Sequence, residues 1–471
     1  MESARAGAWE GEGPGAGTGG APAGRWRWAL VGVVMVPVVL GVHEGSMLRM
    51  RPATTEASVG AFAEVERLVR QEWVEAPDVD ALRDGALTGL VATLDEFSVY
   101  VPPSELARFA EETTGQFGGL GIYVALEDGL VRVIAPIEDT PAWRAGILPG
   151  DTILRIDGRE YQFQSADDAV RALKGPPGST IELLVLHPGE GQRPFSVTLE
   201  RAVIQLRSVK GARLIDPAER VGYVRVTSFV TGTVDELDRA LTELEAADAR
   251  ALVLDLRGNP GGYLGGAVDV ADRFLPEGAV IVQTRGRVAG SSEETRAAGP
   301  ARVTLPLAVL IDGGSASASE ILAGALHDHG RATLVGARSF GKGSVQGLYA
   351  VLGGAAQLKL TTQHYLTPKG RRIHRGDRPA EDDSWGLLPD LPVPLDPQAR
   401  AKLAAAEAEL DLERLKARAD GQGGASGASG ANGVAALPED RLRLDDPQVA
   451  AAHAHLLDVL AGRAAPGEPA R

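Results

Sequence analysis

The stretch Ile311-Asp312-Gly313-Gly314-Ser315-Ala316-Ser317-Ala318-Ser319-Glu320 decides the fold of its surroundings. The apolar run before it is typical of a buried strand, its two glycines indicate a turn, and the small residues after them begin a helix. A strand, turn and helix in this order form a unit of a layered α/β domain. Amide groups at the helix start could stabilise an oxyanion, so Ser317 is either a nucleophile or a plain helix cap. This segment alone favours the cap, because Ser317 and Glu320 also fit a capping box.

A second segment, Ser339-Phe340-Gly341-Lys342-Gly343-Ser344-Val345-Gln346, places a lysine between two glycines in apolar surroundings. A lysine that loses solvation has a lowered pKa, and its amine can then act as a base near neutral pH. The alternative is a solvent-exposed lysine in a turn. A phosphate-binding loop is excluded, because Lys342 is followed by Gly343 and not by serine or threonine.

Composition narrows the class of protein. The 471 residues suffice for about three domains. The net charge of −15 argues against binding to nucleic acid. The absence of cysteine excludes disulfides, thiolate metal sites and a cysteine nucleophile. The 59 glycines and 29 prolines exceed the average share and indicate disordered tails or many turns.

The texture of the chain changes along its length. Residues 58–89 carry apolar positions at helical spacing, and Pro77 separates two predicted helices. Short β-rich runs between Gly115 and Arg201 predict a small β domain with one helix at 166–173. Beyond Val221 strands and helices alternate, which predicts a layered domain with a mixed sheet.

An uncharged run from Trp28 to Val42 follows a glycine-rich leader and is flanked by arginines. We expect it to span or anchor in a membrane, although it is short for a spanning helix. A buried core helix and a cleaved signal peptide are the alternatives. The arginine balance weakly favours an internal N-terminus, which would place most of the chain outside the cytoplasm.

Together the two segments closely resemble those of the carboxyl-terminal processing proteases, also called tail-specific proteases, of peptidase family S41. The resemblance extends over residues 58–397, and a weaker match follows at Asp446-Pro447-Gln448. It includes Asp255-Leu256-Arg257-Gly258-Asn259-Pro260-Gly261-Gly262 and Gln363 to Arg375. It implies a mixed α/β Ser/Lys protease core of the ClpP/crotonase-like type, with no metal or cofactor.

Catalytic roles follow from the resemblance. The family's nucleophile is the middle serine of its motif, twenty-five positions before the lysine, which is Ser317 here. Lys342 is implied as general base, and Gln346 as the residue that holds its amine. Asp328 matches a position that some accounts treat as a third catalytic member. Because eleven residues of helix would separate it from Ser317 by roughly 16 Å, we expect a supporting role.

The oxyanion is expected to bind backbone amides. The candidates are Ala318, Gly261 and Gly262.

The β domain resembles a PDZ module. Its segment Gly119, Leu120, Gly121 and Ile122 matches the loop and strand edge with which such modules bind a C-terminal peptide. The alternative is a β domain without a ligand. Lys174 stands where the family commonly has an arginine that links the PDZ module to the protease core, which leaves that contact open.

Six units are expected along the chain: a disordered tail at 1–24, a transmembrane or signal-anchor segment at 26–47, a helical lead-in at 58–114, the PDZ-like domain at 115–203, the protease core at 204–397, and a helical C-terminal tail at 398–471 with a flexible linker at 420–436. The predicted function is a serine endopeptidase of the bacterial inner membrane, active in the periplasm or otherwise outside the cytoplasm. Its expected partners are proteins with apolar C-termini, an adaptor protein, the membrane through residues 28–42, and a second copy in a homodimer. A non-catalytic membrane-tethered PDZ scaffold is the competing hypothesis.

Overall fold

The computed structural model describes residues 52–137, 139–189, 193–379, 381–403, 405–406 and 446–465. The predicted tail at 1–24, the predicted membrane segment at 26–47 and the predicted linker at 420–436 lie outside these residues. Among the helices that are described, none is long and apolar enough to cross a bilayer.

Helices and strands follow one another in the order expected for two β-containing domains behind a helical start. The helices are α1 Pro52–Glu72, α2 Val79–Ala92, α3 Leu106–Thr114, α4 Pro141–Arg144, α5 Ala166–Leu173, α6 Thr233–Ala246, α7 Leu264–Asp272, α8 Ala318–Asp328 and α9 Pro447–Leu460. The strands are β1 Val99–Val101, β2 Gln116–Gly119, β3 Ile122–Glu127, β4 Leu130–Pro136, β5 Thr152–Ile156, β6 Arg159–Glu160, β7 Thr180–Leu186, β8 Phe195–Glu200, β9 Ala202–Gln205, β10 Val209–Asp216, β11 Val221–Val226, β12 Ala251–Asp255, β13 Val280–Gly286, β14 Glu293–Arg296, β15 Leu307–Ile311, β16 Thr333–Gly336, β17 Ser344–Val351, β18 Ala356–Leu366 and β19 Leu391–Pro392.

A six-stranded sheet forms the centre of the larger domain. Its order is β10-β11-β12-β15-β16-β19, and every pair except β10 with β11 is parallel. Strands β12 and β15 are buried along their whole length, because helices cover both faces. Alternate residues point to opposite faces, so Leu252 and Leu254 pack under α6, α7 and α8, whereas Ala251 and Val253 pack against α9.

A second, antiparallel sheet adjoins this core and carries the lysine segment. Strands β1, β18, β13 and β14 are neighbours in that order, and β17 pairs with β18 as a long hairpin. The register shifts between Val345 and Gln346, which leaves a bulge at the start of β17. A bulge re-aims the side chains beside it. The segment from Gly341 to Gln346 therefore enters the sheet with a locally altered side-chain direction.

The smaller domain is an antiparallel sheet in the order β3-β4-β5-β7-β8, with β6 paired to β5. Its core is apolar and separate from that of the larger domain. Helix α5 has the predicted bounds, and Ser165 caps it by accepting from the Asp168 amide at 3.2 Å. Strand β3 lies at the end of this sheet, so one of its edges has no neighbour among the described strands.

Two helices lead into these domains. Helix α2 packs through Val91 on a small cluster with Tyr100 of β1 and Ala356 of β18. Helix α1 instead exposes an apolar stripe, which includes Val59 and Phe62. A stripe of this kind is a surface that another element can cover.

Replacing Leu254 with alanine should lower the free energy of unfolding by about 2–5 kcal/mol, because a fully buried side chain leaves the middle of β12. The matched change Leu94→Ala lies at a 60% exposed position and should cost less than about 0.5 kcal/mol. Urea unfolding followed by tryptophan fluorescence compares the two variants. Equal losses would contradict the central position of β12.

Candidate active site

Ser317 lies at the junction between β15 and α8, at the carboxyl end of the parallel sheet. Its backbone has φ +54° and ψ −114°, whereas an ordinary helix cap has an extended conformation. A left-handed φ is costly for a residue with a side chain and persists only where the surroundings impose it. The side chain is almost fully buried. The Glu320 side chain accepts from the Ser317 amide as the predicted capping box requires, but the strained backbone of Ser317 differs from that of a plain cap.

The buried carboxylate of Glu320 ties the serine segment to the lysine segment. One oxygen accepts from the Ser317 amide at 2.9 Å and from the Lys342 amide at 2.8 Å. The other accepts from the Ser339 hydroxyl at 2.5 Å and from the Gly341 amide at 2.7 Å. Burial raises the pKa of Glu320, and these four bonds act in the opposite direction. The carboxylate thus fixes the backbone of both candidate residues.

Tyr365 of β18 makes a second connection between the same two positions. Its hydroxyl oxygen lies 3.1 Å from the carbonyl oxygen of Ser317 and 2.5 Å from that of Lys342. The ring is fully buried, and burial raises the pKa of the phenol well above its usual range. A neutral hydroxyl and a carboxylate therefore connect Ser317 with Lys342 on the carbonyl and amide sides respectively.

Lys342 is buried, with 1% of its surface exposed, which rules out the solvent-exposed turn lysine. Its Nζ donates to Gln346 Oε1 at 2.9 Å and lies 5.0 Å from the centre of the Phe97 ring. Burial, followed by repulsion from Lys359, lowers the pKa of Lys342 to about 7. At neutral pH a large fraction of this amine is therefore unprotonated and able to accept a proton.

Gln346 is held in turn by hydroxyl groups. Its Nε2 donates to Ser344 Oγ at 2.9 Å and to Thr361 Oγ1 at 3.1 Å. These bonds orient the amide so that its oxygen faces Lys342. The expected role of Gln346 as the residue that holds the amine fits this geometry.

The turn after β12 approaches the serine closely. A Cβ on Gly261 would lie 2.9 Å from Ser317 Cβ, and one on Gly262 would lie 2.1 Å from the Phe229 carbonyl oxygen. Both glycines have positive φ, at +104° and +149°. Only glycine fits at these two positions, because the backbone conformation and the contacts both exclude a side chain.

The three amides expected to bind an oxyanion differ in their bonding. The Gly261 amide donates to Asn259 Oδ1 at 2.9 Å, so it is occupied and does not fit the expected role. The amides of Gly262 and Ala318 donate to no other group in the described part of the chain. Both residues line a small cavity beside the serine. Its walls are Gly262, Leu264, Ser317, Ala318, Ile321, Ser344, Val345 and Tyr365.

Asp328 ends α8 away from the Ser317 end of the helix. Its Oδ2 accepts from the Lys369 amide at 2.9 Å, and its Oδ1 lies 3.6 Å from His327 Nδ1. Burial acts to raise its pKa, but the neighbouring His327, the Thr367 hydroxyl and the bond from the Lys369 amide lower the pKa to about 2. Asp328 and Asp390 in turn raise the pKa of His327 to about 9. These contacts anchor the turn after β18, in keeping with a supporting role.

In the smaller domain, the predicted peptide-binding residues surround the start of β3. Gly119 ends β2, Ile122 begins β3, and the Leu120 side chain is buried in the domain core. The Leu120 carbonyl accepts from the Ala142 amide at 3.0 Å. This bond holds the loop ahead of β3 in place.

Among the described residues, Lys174 forms bonds with the helical lead-in and not with the protease core. Its Nζ donates to Glu111 Oε2 of α3 at 2.9 Å and lies 4.4 Å from the centre of the Phe117 ring. The lysine therefore joins the end of α5 to α3.

Comparison with known proteins places these features in a family. Residues 220–393 match the family model described as Peptidase family S41, and residues 132–186 match that of the PDZ domain. The class of the protein is therefore a serine-type peptidase, a hydrolase, with a mixed α/β core and a PDZ domain.

Named relatives narrow the class further. The chain is 39% identical over 344 residues to the carboxy-terminal-processing protease of Bartonella bacilliformis, covering 72% of this chain and 76% of that protein. It is 38% identical over 333 residues to the carboxyl-terminal-processing protease of Synechocystis, covering 69% and 74%. The solved photosystem II D1 C-terminal processing protease aligns at 28% identity and a TM-score of 0.42, over 71% and 92% of the chains. The chain belongs to the carboxy-terminal processing proteases of peptidase family S41, which confirms the family predicted from the motifs.

Replacing Glu320 with glutamine should lower the free energy of unfolding by about 2–4 kcal/mol and abolish peptidase activity. The amide would present N–H groups to backbone N–H donors that now meet a carboxylate oxygen, which leaves buried donors unpaired. Thermal unfolding and peptide hydrolysis measure the two effects. The control Glu293→Gln, at an exposed position of β14, should change neither stability nor activity. A Glu320→Gln protein with unchanged stability and activity would contradict the role of Glu320 in tying the serine segment to the lysine segment.

Proposed function

We propose that this protein is a Ser/Lys endopeptidase that binds the C-terminal tails of extracytoplasmic proteins through its PDZ domain and cleaves them. The observation that carries this proposal is a buried Lys342 with a pKa of about 7, tied by Glu320 and Tyr365 to a strained Ser317. A buried lysine whose amine is bonded to an uncharged group, here Gln346, is suited to use its neutral form.

The mechanism follows from these groups. Neutral Lys342 takes the proton of the Ser317 hydroxyl, and the serine oxygen attacks the scissile carbonyl carbon. The amides of Gly262 and Ala318 bind the oxyanion, with support from the positive end of the α8 dipole. Lys342 then donates its proton to the leaving amine, and water releases the acyl group by the same route. Gln346 holds the amine in place throughout.

Substrate selection is assigned to the PDZ domain. The free edge of β3 can pair with an extended peptide, and the loop formed by Gly119, Leu120 and Gly121 can receive a terminal carboxylate. Apolar residues at the substrate's C-terminus would fill the groove between β3 and α5, which are in contact. The proposal includes an adaptor protein that delivers substrates to the enzyme.

The setting of the enzyme is a further part of the proposal. Residues 28–42 anchor the chain in the bacterial inner membrane, with the catalytic part in the periplasm or outside the cytoplasm. The exposed apolar stripe of α1 at Val59, Phe62, Val65 and Leu68 fits a second copy of the chain, so that a homodimer forms through the lead-in. The core is assigned to the ClpP/crotonase-like type, and the domain limits remain those predicted from the sequence.

Replacing Ser317 with alanine or Lys342 with methionine should reduce kcat/KM for peptides with apolar C-termini by at least about a thousandfold, because each removes half of the dyad. Methionine keeps the length of the side chain without the amine. The matched control Lys369→Met alters an exposed lysine and should retain full activity. Mass spectrometry of the products gives the rate and the cut site.

Two outcomes would reject the proposal. Cleavage by the Ser317→Ala protein at the rate of the wild-type enzyme would reject Ser317 as the nucleophile. Binding of tails to the PDZ domain without any turnover by the wild-type enzyme would instead support the non-catalytic scaffold.

The activity should depend on pH through the lysine. Only the neutral amine accepts a proton, so kcat/KM should rise about tenfold per pH unit below pH 7 and level off above it. The pH profile of the hydrolysis of a short peptide with a free C-terminal carboxylate and no titratable side chains measures this. A rise centred near pH 10 would show that Lys342 is not desolvated as described.

A further inference from the structure

The helix α9 is bound to the far face of the central sheet although it lies near the end of the chain. Val449, Ala452 and Leu456 are fully or almost fully buried and pack against Ala251 and Val253 of β12. Residues 407–445, which separate α9 from the rest of the chain in sequence, lie outside the described part. The C-terminal segment is thus part of the hydrophobic core of the protease domain.

The first turn of α9 reaches the carboxyl end of β12 through Asp446. Its Oδ1 caps the helix by accepting from the amides of Gln448 at 2.9 Å and Val449 at 3.3 Å. Its Oδ2 accepts from Arg257 Nη1 at 2.7 Å. Gln448 Oε1 accepts from the same Nη1 at 3.0 Å. One aspartate therefore both starts the helix and binds the arginine.

Arg257 is bound on its other side by Asp255, the last residue of β12. Nη2 donates to Asp255 Oδ2 at 2.7 Å and Nε donates to Oδ1 at 3.0 Å, while the Tyr223 hydroxyl donates to Oδ2 at 2.6 Å. Arg257 is 8% exposed and the Asp255 side chain is fully buried. Paired charges in such a site hold fixed positions, because leaving one of them unpaired is costly.

This arginine directly precedes the turn that contains Gly262. The other end of that turn is fixed by the bond between the Tyr263 amide and the Phe229 carbonyl at 2.6 Å. Within the turn, the Gly258 amide donates to Asp312 Oδ1 at 2.8 Å. The position of the Gly262 amide thus depends on how firmly the entry to the turn is held, and Asp446 is one of the groups that hold it.

We propose that Asp446 is a positioning residue for the peptidase reaction: through Arg257 it holds the turn that presents the Gly262 amide to the oxyanion. The proposal rests on the proposed function, in which that amide binds the transition state. A displacement of such a donor by less than an ångström weakens binding of the transition state while leaving binding of the substrate unchanged. The C-terminal segment then acts in catalysis from the opposite face of the sheet.

The variant Asp446→Asn in the full chain tests this. Asparagine keeps an oxygen to cap α9 but removes the charge that faces Arg257. We expect kcat to fall about tenfold with KM changed less than twofold. The inhibition constant of a peptidyl boronic acid, whose tetrahedral adduct with Ser317 occupies the oxyanion position, should rise by about the same factor.

The matched control is Asp458→Asn on the same helix, because Asp458 pairs with the exposed Arg463 and not with Arg257. It should leave kcat and the boronic acid affinity unchanged. Gln448→Leu is a second variant, which keeps the charge and the cap of Asp446 and removes the other acceptor of Arg257 Nη1, together with the bond that Gln448 Nε2 donates to the Val393 carbonyl at 2.8 Å. It should lower kcat about threefold, and it keeps the test decisive if Asp446→Asn does not fold.

Two other outcomes would contradict the role of Asp446 in catalysis, and a third would contradict the proposed function. A lowered Tm with an unaltered kcat of the folded enzyme would make Asp446 merely structural. Equal losses in Asp446→Asn and Asp458→Asn would have the same consequence. Equal hydrolysis by the wild-type and Ser317→Ala proteins would reject the proposed function itself, which is a separate result.

Discussion

The arrangement of the site depends on one buried carboxylate. Glu320 lies in the first turn of α8 and accepts four hydrogen bonds, from Ser317, Ser339, Gly341 and Lys342. A buried carboxylate is stable only when its acceptor capacity is satisfied. The loop 339–342 must therefore close over the helix start, and this closure brings the backbone of Lys342 to that of Ser317, since both amides donate to the same oxygen of Glu320. The strained backbone of Ser317 is one consequence, since its amide is held by the same group.

The other half of the site is a turn that is too crowded to accept side chains. Gly261 and Gly262 allow the backbone to pass Ser317 and Phe229 at distances that a Cβ would not permit. The side chain of Asn259 stabilises this turn, donating to the Val226 carbonyl at 2.9 Å and accepting from the Gly261 amide. The Asn259 side chain thus occupies the Gly261 amide, whereas the Gly262 amide donates to no other group among the described residues.

Much of the site could be predicted from local sequence, because a strand, a glycine turn and a helix start are short-range patterns. Such patterns predict Ser317 and Lys342 as candidates, whereas Gln346 is implied by the resemblance to the family motifs. The bond between Glu320 and the Ser317 amide is part of the capping box that the sequence predicts. The bonds of Glu320 to Ser339, Gly341 and Lys342 could not be predicted, since these partners lie 19 to 22 positions further on and meet it only after folding. The strand β18 was not predicted either, although Tyr365 within it connects both segments. The sequence predicts three candidate oxyanion donors. It does not show that the Gly261 amide is occupied, because this depends on a contact with the Asn259 side chain.

The Glu320 carboxylate, which fixes the backbone of the site, also favours the protonated form of Lys342 and so opposes its action as a base. Other interactions of the site offset this effect. A negative charge at Glu320 favours the protonated form of Lys342, whereas burial and the neighbouring Lys359 favour the neutral amine. Because Glu320 directs its oxygens at backbone amides and a hydroxyl, much of its field is compensated before it reaches Nζ. Gln346, which is uncharged, holds the amine without stabilising its charge as a carboxylate would. A neutral partner for Nζ and a carboxylate for the backbone together allow the lysine to be both fixed and basic near pH 7.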